Sequence, residues 1–343
     1  MTVMVLALAT AMQAGGAPVV EIENFIGTVR VVEGATLDAR IENSGETRAD
    51  IRNSGGELAI DGGVSMRRVQ CYGGWREQRV GRSRRDAKSF DDLPVLIITT
   101  PAPAAIELGE SIVRAEMGDS SRLDIELSHC SSLSAGDVDN DARLAIRGSG
   151  NARIGEVGGA LQAALSGSGA LTARDIGETA ELAVSGSGDV ELGDVGSDME
   201  IGISGSGHVR AGHVASLDAS VSGSGNVEIG NAPSGVHYAA SGSGDLSVGA
   251  TSDVHVRSSG SSTISAASAG RTHFRERSSR CGKSSVRRAT SMAKTLVSEP
   301  GCANGISRWA WPPPRVSRSV LRCSSSITPR VRSTEVTPST TDT

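Results

Sequence analysis

A short glycine-containing motif recurs through the middle of this 343-residue chain at an almost constant spacing. The motif is Ser-Gly-Ser-Gly or a close variant, and its second glycine recurs every 19 residues with one interval of 18. These repeat glycines are Gly150, Gly169, Gly188, Gly207, Gly225 and Gly244. A fixed period of this length indicates a small structural unit that stacks on copies of itself.

Each unit carries two apolar segments with an alternation of period two, which predicts strands and excludes a helical repeat. Val190-Glu191-Leu192 is one such segment, and 199–203 is the other. The leucine-rich repeat pattern is absent. A unit of two short strands buries its apolar side only by stacking on its neighbours. The chain is therefore predicted to be all-β, a parallel β-helix or β-solenoid with about eight coils of 18–19 residues within 101–265. The repeat glycines are interpreted as corners that need positive φ.

The interior of these coils must be narrow, because Tyr238 is the single Phe, Tyr or Trp between residues 100 and 265. Residues 18–100 are also strand-rich and are predicted to form an N-terminal β cap, interrupted by a basic loop at 66–88. This loop is interpreted as a solvated segment, with binding of an anionic partner as the alternative.

Charge and composition change sharply near the end of the repeat. Residues 1–270 carry 20 basic and 35 acidic side chains, whereas 271–343 carry 14 and 4. The segment 266–343, rich in Arg and Ser, is predicted to be a disordered tail because it could bury little apolar surface. Two interpretations stay open, namely an out-of-frame translation of the gene and a genuine basic tail that binds an acidic surface.

The first 17 residues are predicted to be a signal peptide, since an apolar run at Val3–Met12 is followed by small residues. No Lys or Arg precedes the run, which indicates a misplaced start codon or an atypical signal, and a short buried strand is the alternative. No other apolar stretch reaches the 18 residues that a membrane-spanning helix needs. The protein is therefore predicted to be exported, to the periplasm or the cell surface, without a transmembrane span.

The outward positions of the predicted strands form stacked ladders, and one of them places like charges on adjacent coils. We call this set the acidic–histidine stripe, and it comprises Glu181, Glu200, Asp218, His237 and His255. Carboxyl groups about 5 Å apart suit a retaining glycosidase, so a polysaccharide-degrading β-helix enzyme is the alternative function. A flat sheet offers no cleft for a substrate, which argues against the enzyme. The preferred interpretation of the stripe is a set of solvated surface residues.

Two patterns in the sequence suggest metal binding. Calcium is suggested by Gly-Ser-Gly-Asp at 186–189 and 242–245, but Ala170 and His208 occupy the equivalent aspartate position in other coils. A divalent metal held by Asp218, His237 and His255 is the second hypothesis. Plain turn and surface roles are preferred, so no catalytic, cofactor-binding or metal-binding residue and no cofactor is assigned. The predicted function is a non-enzymatic exported envelope or surface module for adhesion, binding or structure. The sequence does not identify its partner, for which an envelope or extracellular glycan or protein is a candidate and nucleic acid is not expected.

The unit Ser-Gly-Ser-Gly-(Asp/Asn)-Val-x-(Leu/Ile)-Gly, as in 185–193 and 222–230, resembles the putative auto-transporter adhesin, head GIN domain family. The resemblance covers roughly residues 20–265 and includes a cysteine–aromatic loop at Cys71 and a further cysteine at Cys130. It implies exported bacterial proteins with a β-solenoid fold and supplies no catalytic residues. It also supports a disulfide between Cys71 and Cys130, which export would permit.

Overall fold

The computed structural model describes residues 17–43, 48–73, 78–276, 285–288 and 296–298 of the chain. The predicted signal peptide falls almost entirely outside these residues, as does most of the predicted tail. Where the chain is described it is all-β, apart from two 3-10 helices at Met66–Arg68 and Phe90–Asp92. The predicted fold class, a parallel β-solenoid, is confirmed. No helix among these residues is long and apolar enough to cross a membrane.

Twenty-seven strands are present in the described chain. Those before the coils are β1 (Val19–Glu23), β2 (Ile26–Glu33), β3 (Asp38–Glu42), β4 (Asp50–Ser54), β5 (Glu57–Asp61), β6 (Gln70–Tyr72), β7 (Arg79–Gly81), β8 (Lys88–Ser89) and β9 (Val95–Thr100). The coils contain β10 (Ala104–Met117), β11 (Ser120–His129), β12 (Ser132–Ser134), β13 (Ala142–Gly148), β14 (Asn151–Ile154), β15 (Leu161–Gly167), β16 (Ala170–Ala173), β17 (Ala180–Gly186), β18 (Asp189–Glu191), β19 (Met199–Gly205), β20 (His208–His213), β21 (Ser216–Gly223), β22 (Asn226–Asn231), β23 (Gly235–Gly242), β24 (Asp245–Gly260) and β25 (Thr263–Glu276). Two short strands follow, β26 (Ser285–Arg288) and β27 (Leu296–Ser298).

The solenoid has two sheet faces, which we call the long face and the short face. The long face stacks β13, β15, β17, β19, β21 and β23 in parallel and in register, with β11, β10 and β1 before them and parts of β24 and β25 after them. The short face stacks β14, β16, β18, β20 and β22 in the same way, with β12, β10, β2 and β9 before them. Each coil contributes one strand to each face, so equivalent residues form continuous ladders.

A third side closes the central coils with a single inward residue instead of a strand. Isolated parallel bridges join Val138 to Val157, Val157 to Ile176, and Ile176 to Val195. These four side chains are at most 3% exposed, so they complete the core between the two faces. The third side was not predicted from the sequence.

The interior is a continuous column of aliphatic side chains in which Tyr238 is the largest fully buried residue. Its side chain is 1% exposed, and its hydroxyl has no hydrogen-bond partner within the described residues. Tyr238 pairs in register with Ala219 in the preceding coil. The small alanine beside the ring is consistent with the narrow interior that the composition predicted.

The solenoid has about nine turns, where the repeat predicted about eight. The additional turn comes from β1 and β2 within the predicted cap, which pair in parallel with the two halves of β10. Residues 34–103 separate this first turn from the next and hide the 19-residue period. At the other end, β25 pairs with β24 up to Glu276, beyond the boundary at 265 that the motif suggested.

The corner glycines need a corrected physical explanation. Positive φ occurs at the first glycine of each pair, for example +126° at Gly167 and +117° at Gly186, rather than at the second glycine that marks the repeat. The second glycine is required for space. A Cβ atom on Gly225 would lie 2.6 Å from Ile203 Cγ2 and 2.8 Å from the carbonyl oxygen of Gly207.

Candidate binding surface

The outward side of the long face carries three parallel ladders of side chains. One is the acidic–histidine stripe. The second is a row of small residues that we call the small-residue trough, comprising Ala164, Ala183, Gly202, Ser220 and Ala239. The third is a serine ladder, comprising Ser166, Ser185, Ser204, Ser222, Ser241 and Ser259. The three ladders follow from period-two alternation, because every second residue of a strand points outward.

The small-residue trough forms a shallow groove along the solenoid axis. Its volume is about 890 Å³, and the serine ladder forms one of its sides. Arg257 takes the place of the small residue in the coil after Ala239 and lines that end of the groove. Hydroxyl groups repeat along it at the strand spacing of about 4.8 Å, so the groove offers both apolar contact and regularly spaced hydrogen-bonding groups.

The structure brings the residues of the acidic–histidine stripe together as the sequence predicted them to lie. Glu181 is opposite Glu200, Glu200 is opposite Asp218, and His237 and His255 continue the ladder. All five side chains are exposed, and they border a groove of about 750 Å³. The stripe therefore lies on an open sheet surface beside the trough.

His273 extends the stripe by one coil, which the sequence analysis did not include. Its ring centroid lies 4.6 Å from that of His255 in a stacked arrangement, and the rings of His237 and His255 are 4.9 Å apart. Partial burial, followed by the neighbouring imidazoles of His273 and His237, lowers the pKa of His255. Among the residues described, no three His, Cys, Asp or Glu side chains are arranged as a metal site.

A second acidic ladder at a corner was missed by the sequence analysis, and its role is structural. Asp175 Oδ1 accepts the backbone N–H of Asp194 at 2.8 Å, and Asp194 Oδ1 accepts that of His213 at 2.7 Å. The hydrogen bond from the His213 backbone, and then that from its side chain, lowers the pKa of Asp194. The recurrence of Asp before the third-side Val or Ile, as at Asp137, was the available signal.

Asp245 has a similar role to these aspartates. Its Oδ1 accepts the backbone N–H of Thr263 at 2.7 Å. This carboxylate, which the calcium hypothesis invoked, therefore bonds to the next coil.

Within the predicted basic loop, β6, β7 and β8 form a small three-stranded antiparallel sheet. We call this sheet, with the other described residues of the loop at 66–73 and 78–88, the basic sheet. A disulfide joins Cys71 of β6 to Cys130, with a Cα–Cα distance of 6.1 Å. Val80 and Phe90 pack with Cys130 and Ile112 in a separate small core. The basic sheet is thus attached to the first coils.

Comparison with known proteins identifies the family to which the chain is similar. The family model described as "putative auto-transporter adhesin, head GIN domain" matches residues 24–233 and 177–269, which together span most of the chain. No curated protein matches the sequence.

Two solved structures resemble the chain in outline. One, described as a putative lipid binding protein from Parabacteroides distasonis, is 12% identical with a TM-score of 0.35, covering 80% of this chain and 94% of its own. The other, a putative adhesin from Bacteroides fragilis, is 13% identical with a TM-score of 0.31, covering 79% and 92%. The resemblance that the repeat motif carries is confirmed by the family match. This chain therefore belongs to the putative auto-transporter adhesin, head GIN domain family.

Proposed function

We propose that the protein is a non-enzymatic, exported envelope or surface module that binds an extended glycan or polypeptide along its long face. Membership of an adhesin family supports a binding or surface role. Export is supported by the apolar N-terminal run followed by small residues and by the disulfide between Cys71 and Cys130, a bond typical of oxidising compartments.

The observation that carries the proposal is the small-residue trough. Its side chains, such as Ala164, Ala183 and Ala239, are exposed and leave a groove that runs across six coils. An extended polymer laid in this groove would contact apolar methyl groups and the hydroxyls of the serine ladder at each coil. Repeated weak contacts along a rigid surface are how solenoids bind long partners.

The geometry favours binding over glycan cleavage. Glu181, Glu200 and Asp218 are exposed on an open surface rather than enclosed in a cleft. Between residues 100 and 273 the single Phe, Tyr or Trp is Tyr238, and it points into the core. Within those residues the stripe therefore lacks a Phe, Tyr or Trp side chain, the usual platform for a sugar ring.

A paired set of variants tests the trough. Ala183→Arg with Ala239→Arg fills the groove, whereas Thr172→Arg with Ser247→Arg adds the same charge to exposed positions of the short face. Labelled proteins would be measured for binding to a glycan array and to bacterial envelope fractions. We expect the wild type and the short-face variant to bind alike and the trough variant to lose at least tenfold in affinity, about 1.4 kcal/mol.

Two results would contradict the proposal. Equal binding by both variants would remove the trough as the site. Release of cleaved sugar by the wild type, absent in Glu200→Gln, would make the protein an enzyme. Fractionation of cells that produce the tagged chain tests export separately, since recovery in the cytosol alone would contradict it.

A further inference from the structure

The basic sheet differs in charge from the rest of the folded chain. Its described residues, 66–73 and 78–88, contain seven basic side chains and one acidic side chain. The remaining segments 17–65 and 89–276 contain 14 basic and 34 acidic side chains. The molecule therefore has a compact positive region on a strongly negative body. This dipolar charge distribution orients the molecule as it approaches a charged partner.

Six cations of the basic sheet are exposed and form no ion pair with another residue that the structure describes. These six residues are Arg67, Arg68, Arg82, Arg84, Arg85 and Lys88. Arg79 is the remaining described cation of the basic sheet, and it has an interaction partner. Arginines of the coils behave differently, since Arg143 pairs with Asp124 and Arg210 with Glu228. The positive charge of the basic sheet is thus left available to an outside partner.

The scaffold beneath these cations is fixed. The disulfide ties β6 to Cys130, and Val69 and Val80 are buried in the small core against Ile112. A solvated loop that served only solubility would need no such attachment. A charged surface held in place loses less conformational entropy when it binds.

The placement of the cations indicates a plane rather than a pocket as the partner. Among them only Arg67 lines the neighbouring cavity of about 420 Å³, which also contains Glu110 and Glu126. The others are exposed, and Arg82, Arg84 and Arg85 lie together in the turn that follows β7. An acidic glycan held as a single chain would need cations that converge on a groove, whereas a layer of phosphate groups can meet cations spread over a projecting surface. Guanidinium groups also match phosphate in bidentate geometry.

We propose that the basic sheet docks the protein on a phosphate-bearing anionic lipid surface, with the first coils towards the lipid and the acidic coils away from it. The attraction is of the kind that polybasic segments have for anionic lipids. At physiological salt it acts within about 8 Å, so the distant acidic coils oppose it weakly. This site is separate from the long face, and its test does not depend on the function proposed there.

The test is co-sedimentation of the full chain with vesicles of phosphatidylcholine alone or with phosphatidylglycerol added. The triple variant Arg82→Gln, Arg84→Gln and Arg85→Gln removes three exposed turn charges. The control variant Arg143→Gln, Arg153→Gln and Arg210→Gln removes the same charge from the coils. A surface arginine contributes about fivefold to such partitioning, so we expect a loss of about a hundredfold for the first variant and less than fivefold for the second.

Further measurements decide the outcome. Binding of the wild type should require phosphatidylglycerol and should fall as salt rises from roughly 0.1 M to roughly 1 M. Equal loss of vesicle binding in both triple variants would overturn the proposal. No loss in either variant would also overturn it, and would place the attraction elsewhere, such as in the basic residues beyond 276. Binding of soluble polygalacturonate in preference to the vesicles would assign the surface to an acidic glycan instead. Circular dichroism would confirm that each variant is folded.

Discussion

Two glycines in one strand separate the two roles that glycine has in this solenoid. Gly205 and Gly202 both belong to β19 on the long face. Gly205 has a φ of +132°, a conformation that L-residues with a side chain rarely adopt. Gly202 has no positive φ, and a Cβ there would meet nothing closer than 3.9 Å. Substituting each by alanine therefore tests backbone geometry against the mere presence of a methyl group.

The expected cost of Gly205→Ala follows from three contributions. The backbone strain is about 1–3 kcal/mol. The new Cβ would press on the carbonyl oxygen of Gly186 and lie 3.1 Å from its carbonyl carbon, and moving this carbonyl weakens the hydrogen bond it accepts from Ser206 N–H at 2.7 Å. That bond contributes about 1 kcal/mol, and the crowding of the stacked coil costs about 1–3 kcal/mol. We expect a loss of about 4 kcal/mol in the free energy of unfolding.

Thermal unfolding of the full chain, followed by circular dichroism, measures both variants. In a domain of about 250 residues, 1 kcal/mol shifts the Tm by about 2 °C, so Gly205→Ala should lower it by about 8 °C. Gly202→Ala should raise it by about 1–2 °C, because alanine restricts the unfolded chain. A Gly205→Ala Tm within about 2 °C of the wild type would refute the argument from φ and the close approach. An equal fall in both variants would show that any methyl group on this strand is harmful.

Three further predictions concern the core, the histidines and the disulfide. Tyr238→Phe removes a buried hydroxyl that has no partner among the described residues and should stabilise the protein by about 1 kcal/mol; a lower Tm than the wild type would contradict this. Burial and neighbouring imidazoles lower the pKa of His255 in the folded state, so the fold favours the neutral imidazole. The stability that depends on this neutral form is complete above the unfolded pKa of about 6.5 and is lost as the pH falls through the folded pKa. The Tm of His255→Gln should therefore fall less than that of the wild type on acidification, and parallel Tm–pH curves would argue against the coupling. Replacing Cys71 and Cys130 by serine should increase hydrogen exchange in residues 66–88 while the coils from β13 onwards stay protected, and uniform loss of protection would mean that the basic sheet and the coils unfold as one unit.

The stacked strands were predictable because the repeat shows them directly. Leu171, Val190 and Val209 recur at equivalent positions, and the structure places them in one buried ladder of the short face. The acidic–histidine stripe was predictable for the same reason, since in-register stacking makes equivalent residues adjacent. Sequence periodicity is thus sufficient wherever a coil contributes two or more alternating residues to a face.

The third side and the corner aspartates could not be predicted in this way. Each coil gives the third side a single inward residue such as Val157, which has no alternating neighbour to mark it as strand. The partner of Asp175 is a backbone N–H in the next coil, and a backbone group leaves no signature in the sequence. The roles of the two corner glycines were also inseparable, because positive φ and lack of space select the same residue.

The first end of the solenoid has a consequence for how copies of this protein behave at high concentration. A stack of parallel strands can in principle add further strands from another molecule at each open end, as fibrils do. Here β3 and β4 pair antiparallel with β9 and β5, and their charged residues include Arg40 and Arg52. Charged edge strands of this kind disfavour further pairing. The N-terminal edge of the solenoid therefore resists joining to a neighbouring molecule, although the strands stacked behind it are parallel.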